Sequence, residues 1–212
     1  MRLLLADAAL ELVPEEISQH PSVVNSARKR RKKPSGILLD SAVHRPAMSA
    51  IPDALKRGRP DIVHFCLLTA LAEDCVQEVY IHTCRGSIIR VDRGARLPKN
   101  YNRFVSLAEQ LLMLGRVPPH GPPLLEVMPV SLRELVGDSE VILLDEQGEV
   151  RALQEVCAAS RRGAFLTIGA YPRGSFSREI LNLTSKKWSL GATPLEAVQV
   201  LIRILCACCL ST

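Results

Sequence analysis

The stretch that decides the fold is Val141-Ile142-Leu143-Leu144-Asp145, then residues 151–160, then Ala164-Phe165-Leu166-Thr167-Ile168-Gly169. Two continuous apolar runs, rich in branched residues, flank a segment with helical spacing of its apolar positions. Runs of this kind suit strands buried on both faces rather than alternating surface strands. The pattern continues on either side. Residues 124–128 read as a strand and 131–136 as a helical turn. Residues 194–208 read as a final helix with Pro194 at its start, where a missing N–H costs nothing. Strand and helix in alternation predict an α/β fold with a largely parallel sheet and helices on both faces.

Towards the amino terminus, residues 2–6 read as a buried opening strand and Ile37-Leu38-Leu39-Asp40 as a short one. Between them, residues 18–36 carry Arg28-Lys29-Arg30-Arg31-Lys32-Lys33, and mutual repulsion predicts a loop or disordered link there. Pro60-Asp61 opens a helix, with the carboxylate at its positive end. Residues 76–83 and 87–91 form two strands around the tight turn Cys84-Arg85-Gly86, a hairpin. A helix over 102–114 is ended by Gly115. Residues 117–123 hold four prolines and form a stiff connector. No internal repeat is visible.

Composition narrows the classes. The chain has 212 residues, 47% apolar but only 4% aromatic, so it can bury a large, mainly aliphatic core. That excludes disorder across the whole chain. The six-residue basic run exceeds the entire net charge of +5, so the basicity is local and suggests a contact patch. Seven cysteines and no secretory signal predict free thiols in a reducing, cytoplasmic setting. The apolar tail 197–210 contains Arg203 and is too short to span a bilayer, so no membrane partner is expected. Cys206-Ala207-Cys208-Cys209 lacks the spacing of a zinc site, and no metal is expected.

Four segments could carry chemistry. Ile168-Gly169-Ala170-Tyr171-Pro172-Arg173-Gly174 follows a strand, where open α/β sheets bind ligands, though an ordinary turn is the simpler reading. It is neither a dinucleotide fingerprint nor a phosphate loop. Ser189-Leu190-Gly191-Ala192-Thr193-Pro194-Leu195 is a second strand-end loop, or simply the start of a helix. In Lys56-Arg57-Gly58-Arg59-Pro60-Asp61, the Arg59 fork could hold a phosphate or a base edge, with Asp61 orienting it through a bidentate pair. The alternative is a surface ion pair at a helix cap. Residues 85–103 hold Arg96, Lys99 and Arg103 at spacings of three and four, which a helical turn would align for an RNA backbone. A solvated basic face fits equally well. His44 and His64 flank the Arg59 region and read as local hydrogen-bonding residues.

Taken together these segments resemble the small-subunit ribosomal RNA pseudouridine-N1-methyltransferase family, of the SPOUT superclass of knotted methyltransferases. The matching pieces run in order: Leu38-Leu39-Asp40 with His44 and Met48, and Lys56-Arg57-Gly58-Arg59-Pro60-Asp61-Ile62-Val63-His64. Next come Ile81-His82-Thr83 and Arg96-Leu97-Pro98-Lys99-Asn100-Tyr101-Asn102-Arg103-Phe104. Ile168-Gly169 with Gly174 and Ser189-Leu190 with Pro194-Leu195 complete them. Pro172-Arg173 stands where Ala-His is common in that family, and Lys99 where arginine is common.

The resemblance implies one knotted domain over 1–212, with a carboxy-terminal trefoil knot and a basic hairpin-and-helix insertion at about 41–116. It implies S-adenosylmethionine as cofactor, with S-adenosylhomocysteine as product. Ile168, Gly169, Gly174, Leu190, Gly191, Ala192, Thr193, Pro194 and Leu195 would line its pocket. Arg59, Arg96, Lys99 and Arg103 would grip small-subunit rRNA, with Arg59 and Asp61 as the catalytic pair. A homodimer, ribosomal assembly proteins as partners, and a role in small-subunit biogenesis are further implications. Two rivals are an rRNA-binding assembly factor in which methyl transfer is secondary or absent, and an unrelated α/β enzyme using Asp, His and Cys. The second rival leaves the basic segment unexplained.

Overall fold

A computed structural model describes residues 1–209. The opening strand β1 (Arg2–Ala8) sends Leu3 and Leu5 into one core and Leu4 and Ala6 into another, the two-residue period of a strand buried on both faces. Helices α1 (Pro21–Lys29) and α2 (Ser41–Met48) come next, and together they enclose a third apolar centre built on Val13, Ile17, Val23, Ile37 and Met48. Helix α3 (Pro60–Ala70) leads to the hairpin of β2 (Glu78–Thr83) and β3 (Ile88–Val91). Helix α4 (Tyr101–Leu114) starts where the Asn100 side chain accepts from the Arg103 amide, and ends at Gly115. Strands β4 (Arg116–Val117) and β5 (Leu125–Met128) then precede α5 (Leu132–Val136). The carboxy-terminal part runs β6 (Val141–Val150), α6 (Leu153–Arg161), β7 (Phe165–Gly169), α7 (Arg178–Leu183), β8 (Lys186–Ser189) and α8 (Ala197–Cys209).

All eight strands form one sheet in the order β4-β5-β3-β2-β1-β7-β6-β8. From β2 to β8 the neighbours are parallel, and β3, β5 and β4 extend the sheet antiparallel. Helices α3, α4, α6 and α8 cover one face through Val63, Leu67, Phe104, Val156 and Leu201. Helices α5 and α7 cover the other through Leu132, Val136 and Ile180. The expected sheet with helices on both faces is present. After β7 the chain passes over β6 to reach β8, and this reversal places three strand ends around one crevice.

The basic run departs from expectation. It is not a loose link: α1 reaches into it, and the fully buried Glu109 on α4 anchors Arg30 and Lys32. The Glu109 carboxylate accepts from both terminal nitrogens of Arg30 at 2.5 and 2.7 Å, from Lys32 Nζ at 2.5 Å and from the Leu38 amide at 2.9 Å. A partner 77 residues away overcomes the repulsion that the local sequence shows. Residues 37–40 form no strand; Leu38 makes one isolated bridge to Leu12, and Asp40 instead caps α2.

The thiols also differ from expectation. Cys75 is paired with Cys209 and Cys157 with Cys208, which ties the end of α8 to the segment after α3 and to α6. Only Cys66, Cys84 and Cys206 are free among the described residues. Helix α8 starts three residues later than Pro194 suggested. Leu210, the end of the apolar tail, lies outside the described residues. Among them no helix is long and apolar enough to cross a membrane.

Glu109→Gln removes a charged acceptor that four donors share. Arg30 and Lys32 can still reach water, so we expect a loss of about 2 kcal/mol. Thermal unfolding measured by circular dichroism should show a fall of about 4–8 °C.

Candidate active site

A cavity of about 890 Å³ opens at the carboxyl ends of β6, β7 and β8. One wall is the loop after β7, from Gly169 to Phe176; a second is the loop after β8, from Leu190 to Glu196. A third comes from an irregularity in β6. Its pairing with β8 breaks between Leu144 and Glu149, and Asp145, Glu146 and Gln147 bulge into the cavity lining. The amino-terminal turn of α3 closes it with Arg59, Asp61, Ile62 and Phe65.

The loop after β7 is folded onto its own glycine. The rings of Tyr171 and Phe176 come within about 3 Å of where a Gly169 side chain would stand, so any larger residue pushes the rings away. Gly174 has φ 114°, a conformation that side chains disfavour. Main-chain N–H groups of Ala192, Thr193 and Leu195, in the loop after β8, take no partner among the described residues. Such loops can hold a ligand by the main chain.

The basic string before α3 is resolved residue by residue. Lys56 Nζ donates to Asp7 Oδ2 at 2.8 Å and to the Ser175 carbonyl at 2.7 Å, and lies 4.4 Å from the centre of the Tyr171 ring. Arg57 turns the other way and forms a buried bidentate pair with Glu11, both contacts at 2.7 Å. The hydrogen bonds that Arg57 donates to Glu11 raise its pKa. Arg59 alone of the three lines the cavity, and Asp61 grips it with bonds of 2.8 and 2.7 Å. That pair raises the Arg59 pKa, so the guanidinium is a fixed cation.

Asp7 sits at the end of β1 with φ 49° and is almost fully buried. Burial alone would push its carboxyl up. The nearby His82 ring and hydrogen bonds from Lys56 and Ser177 outweigh burial and hold it well below the usual carboxylate range. Burial likewise pushes the Tyr171 hydroxyl pKa up, helped by the charges of Asp7, Asp145 and Glu146.

Around Arg59 the scaffold is polar but closed. Tyr101 donates to Asp40 at 2.7 Å; burial first, then this bond, raises its pKa. The His64 ring stacks on Phe104 with centroids 4.2 Å apart, and its Nε2 meets the Pro98 carbonyl at 2.7 Å. His44 Nδ1 accepts from the Asp40 amide at 3.1 Å, and burial lowers its pKa. Both histidines are local supports.

The structure therefore brings Ile168, Gly169, Gly174, Leu190, Gly191, Thr193, Pro194 and Leu195 into one lining with Arg59 and Asp61. Ala192 is exposed and does not join that lining. Arg96 and Lys99 lie in an exposed loop, and α4 begins only at Tyr101, so no helical turn aligns them with Arg103. None of the three lines the cavity. Sequence reasoning missed Asp145, Glu146 and Gln147, although polar residues ending an apolar strand were a usable signal. It also missed Asp7 and the role of Lys56, whose contacts are all distant in sequence. Among the described residues no group of three or more His, Cys, Asp or Glu side chains could hold a metal ion.

A crevice at strand ends, walled by two glycine loops and faced by a clamped arginine, is where an open α/β sheet binds its ligand. The model of the EMG1/NEP1 methyltransferase family matches residues 3–209, and the chain belongs to that family. It is 44% identical over 210 residues to the ribosomal RNA small subunit methyltransferase Nep1 of Saccharolobus solfataricus, covering 98% of this chain and 96% of the relative. The Nep1 of Sulfurisphaera tokodaii is also 44% identical, at the same coverage. The crystal structure of Archaeoglobus fulgidus Nep1 bound to S-adenosylhomocysteine superposes with a TM-score of 0.90 at 40% identity, covering 98% of this chain and 96% of that one.

The Asp7 cluster predicts a pH dependence. A carboxyl depressed in the folded state stabilises above its unfolded pKa, near 4, and loses that contribution as the pH falls towards its folded value. Stability from urea unfolding should therefore decline steadily below about pH 4. Asp7→Asn should be less stable at neutral pH and show a shallower decline.

Proposed function

We propose that this chain transfers a methyl group from S-adenosylmethionine to N1 of a pseudouridine in small-subunit rRNA and acts in small-subunit biogenesis. The observation that carries this reading is the sharing of one cavity by the two glycine loops and the Arg59–Asp61 pair. Family membership, the rRNA methyltransferase relatives and the neighbour bound to S-adenosylhomocysteine support it.

The residues present fit the cofactor. The cavity has ample volume, and amides of the loop after β8 are free to donate to its polar groups. Ile168, Gly169, Gly174, Leu190, Gly191, Thr193, Pro194 and Leu195 would hold it. When bound, S-adenosylmethionine supplies an electrophilic sulfonium methyl group.

Arg59 then acts on the acceptor base. Pseudouridine carries a free N1–H that uridine lacks; as the N1–methyl bond forms, the sulfonium sulfur–methyl bond would break to leave S-adenosylhomocysteine, and the N1 proton passes to solvent water. The Arg59 guanidinium stabilises negative charge that develops on the base. Asp61 fixes the plane and position of that fork and keeps Arg59 charged. With Asp61 oxygens bonded to Arg59, it is a poor proton acceptor. Arg96, Lys99 and Arg103 are exposed around the first turn of α4 and hold RNA phosphates. A base lifted out of its stack reaches the cavity between them and the loops.

The same reading includes a homodimer. Phe65 on α3 and Ile202 on α8 are 56% and 46% exposed, on two helices that pack together, and a second copy would cover them. It includes a trefoil knot, in which the chain after Gly169 threads before α8, in one domain over 1–212 with an insertion at about 41–116. Ribosomal assembly proteins are expected partners and the cytoplasm the location.

Calorimetric titration with S-adenosylmethionine should give one site per protomer; absence of binding to ligand-free, folded protein would remove the cofactor and favour an assembly factor. Arg59→Ala should lower methyl transfer at saturating RNA by about a hundredfold or more, with cofactor affinity unchanged. Full transfer by that variant would overturn the role of Arg59. RNA carrying uridine in place of pseudouridine should accept no methyl group.

A further inference from the structure

The run Arg28-Lys29-Arg30-Arg31-Lys32-Lys33 has no part in the active-site cavity, and the fold divides it. Arg30 and Lys32 turn inward to the buried Glu109. Arg28, Lys29, Arg31 and Lys33 stay exposed and pair with no carboxylate among the described residues. Residues 21–36 contain no Asp or Glu at all. Four neighbouring cations without compensation repel one another, and an anion laid over them relieves that repulsion.

Arg31 supplies an independent observation. The end of α1 is a left-handed cap: the Arg31 amide donates to the Arg28 carbonyl and the Lys32 amide to the Ala27 carbonyl, with Arg31 at φ 53°. Glycine is the favoured residue at this position because a side chain is strained there. The demands of folding alone call for glycine. Arg31, exposed and without an ion-pair partner among the described residues, is therefore costlier to the fold there than glycine would be.

The mount also has the right location. Glu109 lies six residues beyond Arg103 on α4, about 9 Å of helix rise. The helix whose first turn carries a proposed RNA contact thus anchors the basic run in its second half.

We propose that Arg28, Lys29, Arg31 and Lys33 form a second RNA-contact surface, which binds phosphates of the substrate rRNA outside the modified loop. Glu109 pins Arg30 and Lys32, so the four cations are presented on a fixed frame and little ordering is lost on binding. This surface adds affinity and register, while the methylated base is handled by Arg59. The inference rests on the proposed rRNA methyltransferase function.

The test uses the full chain and a transcribed small-subunit rRNA hairpin with long flanking stems, titrated over a series of salt concentrations. For the unaltered protein, affinity should fall steeply with salt. The quadruple variant R28Q/K29Q/R31Q/K33Q should reduce the slope of log affinity on log salt by about 3, since each lost phosphate contact removes about 0.7–0.9. Arg31→Gly should reduce it by about 1 while the melting temperature holds or rises, because glycine relieves the strained cap. Affinity for S-adenosylmethionine should stay unchanged in both variants. A steep, unchanged slope in the quadruple variant would overturn this surface, leave methyl transfer intact, and point to an acidic protein partner instead. Failure of the unaltered protein to bind the hairpin at any salt would overturn the rRNA reading and this inference with it.

Discussion

Two buried carboxylates at the end of β1 hold the active region together. Asp7 takes Lys56 and Glu11 takes Arg57, so two adjacent basic residues are pulled to opposite sides of one strand end. Neither the Glu11–Arg57 pair nor the Asp7–Lys56 pair is a large net source of stability, because desolvation offsets most of the attraction. Their value is in register. With Lys56 and Arg57 fixed, the next residues have no freedom to slide, and Arg59 and Asp61 arrive at the cavity together. Lys56 extends the same control to the far wall through the Ser175 carbonyl and the Tyr171 ring. One side chain therefore couples the loop proposed to hold cofactor to the string that carries Arg59.

The sheet solves a different problem with few parts. The crossing from β7 to β8 over β6 leaves three strand ends open, and the break in β6 pairing fills part of that opening with polar side chains. At Gly148 a side chain would meet the backbone of Trp188 within 2.5 Å, so β6 returns to β8 only because that residue has none. Glu109, which takes the Leu38 amide next to the Leu39 amide bonded to the Glu11 carbonyl, performs for the basic run what Asp7 and Glu11 perform for Lys56 and Arg57. Three buried acids thus sort the cations of this chain into structural ties and free charges.

Much of the fold is legible from local pattern. Apolar runs over 141–145 and 164–168 mark central strands, the turn 84–86 marks the hairpin, and Gly115 marks the end of α4. The two glycine loops and the pair of Arg59 with Asp61 are legible too, since each lies within a few consecutive residues. Helix α7 is not, because six residues are too few to show a helical period, although Ser177 is a usable cap signal. The stop of α1 is hidden because Arg31 occupies a position where glycine is the usual mark.

Local pattern was enough for the central strands, most of the helices that flank them, the strand-end loops, the family-like motifs and the arginine–carboxylate pair. These depend on side-chain period, capping and turn chemistry, which act over a few residues. Which cations are consumed inside, which cysteines meet, and that β6 lends polar residues to the cavity follow from long-range packing. Lys32 meets Glu109 across 77 residues, Arg57 meets Glu11 across 46, and Ser177 meets Asp7 across 170. A charge's partner is set by where the folded chain places it, and the energy of a buried pair depends on surroundings that exist only after the core has formed.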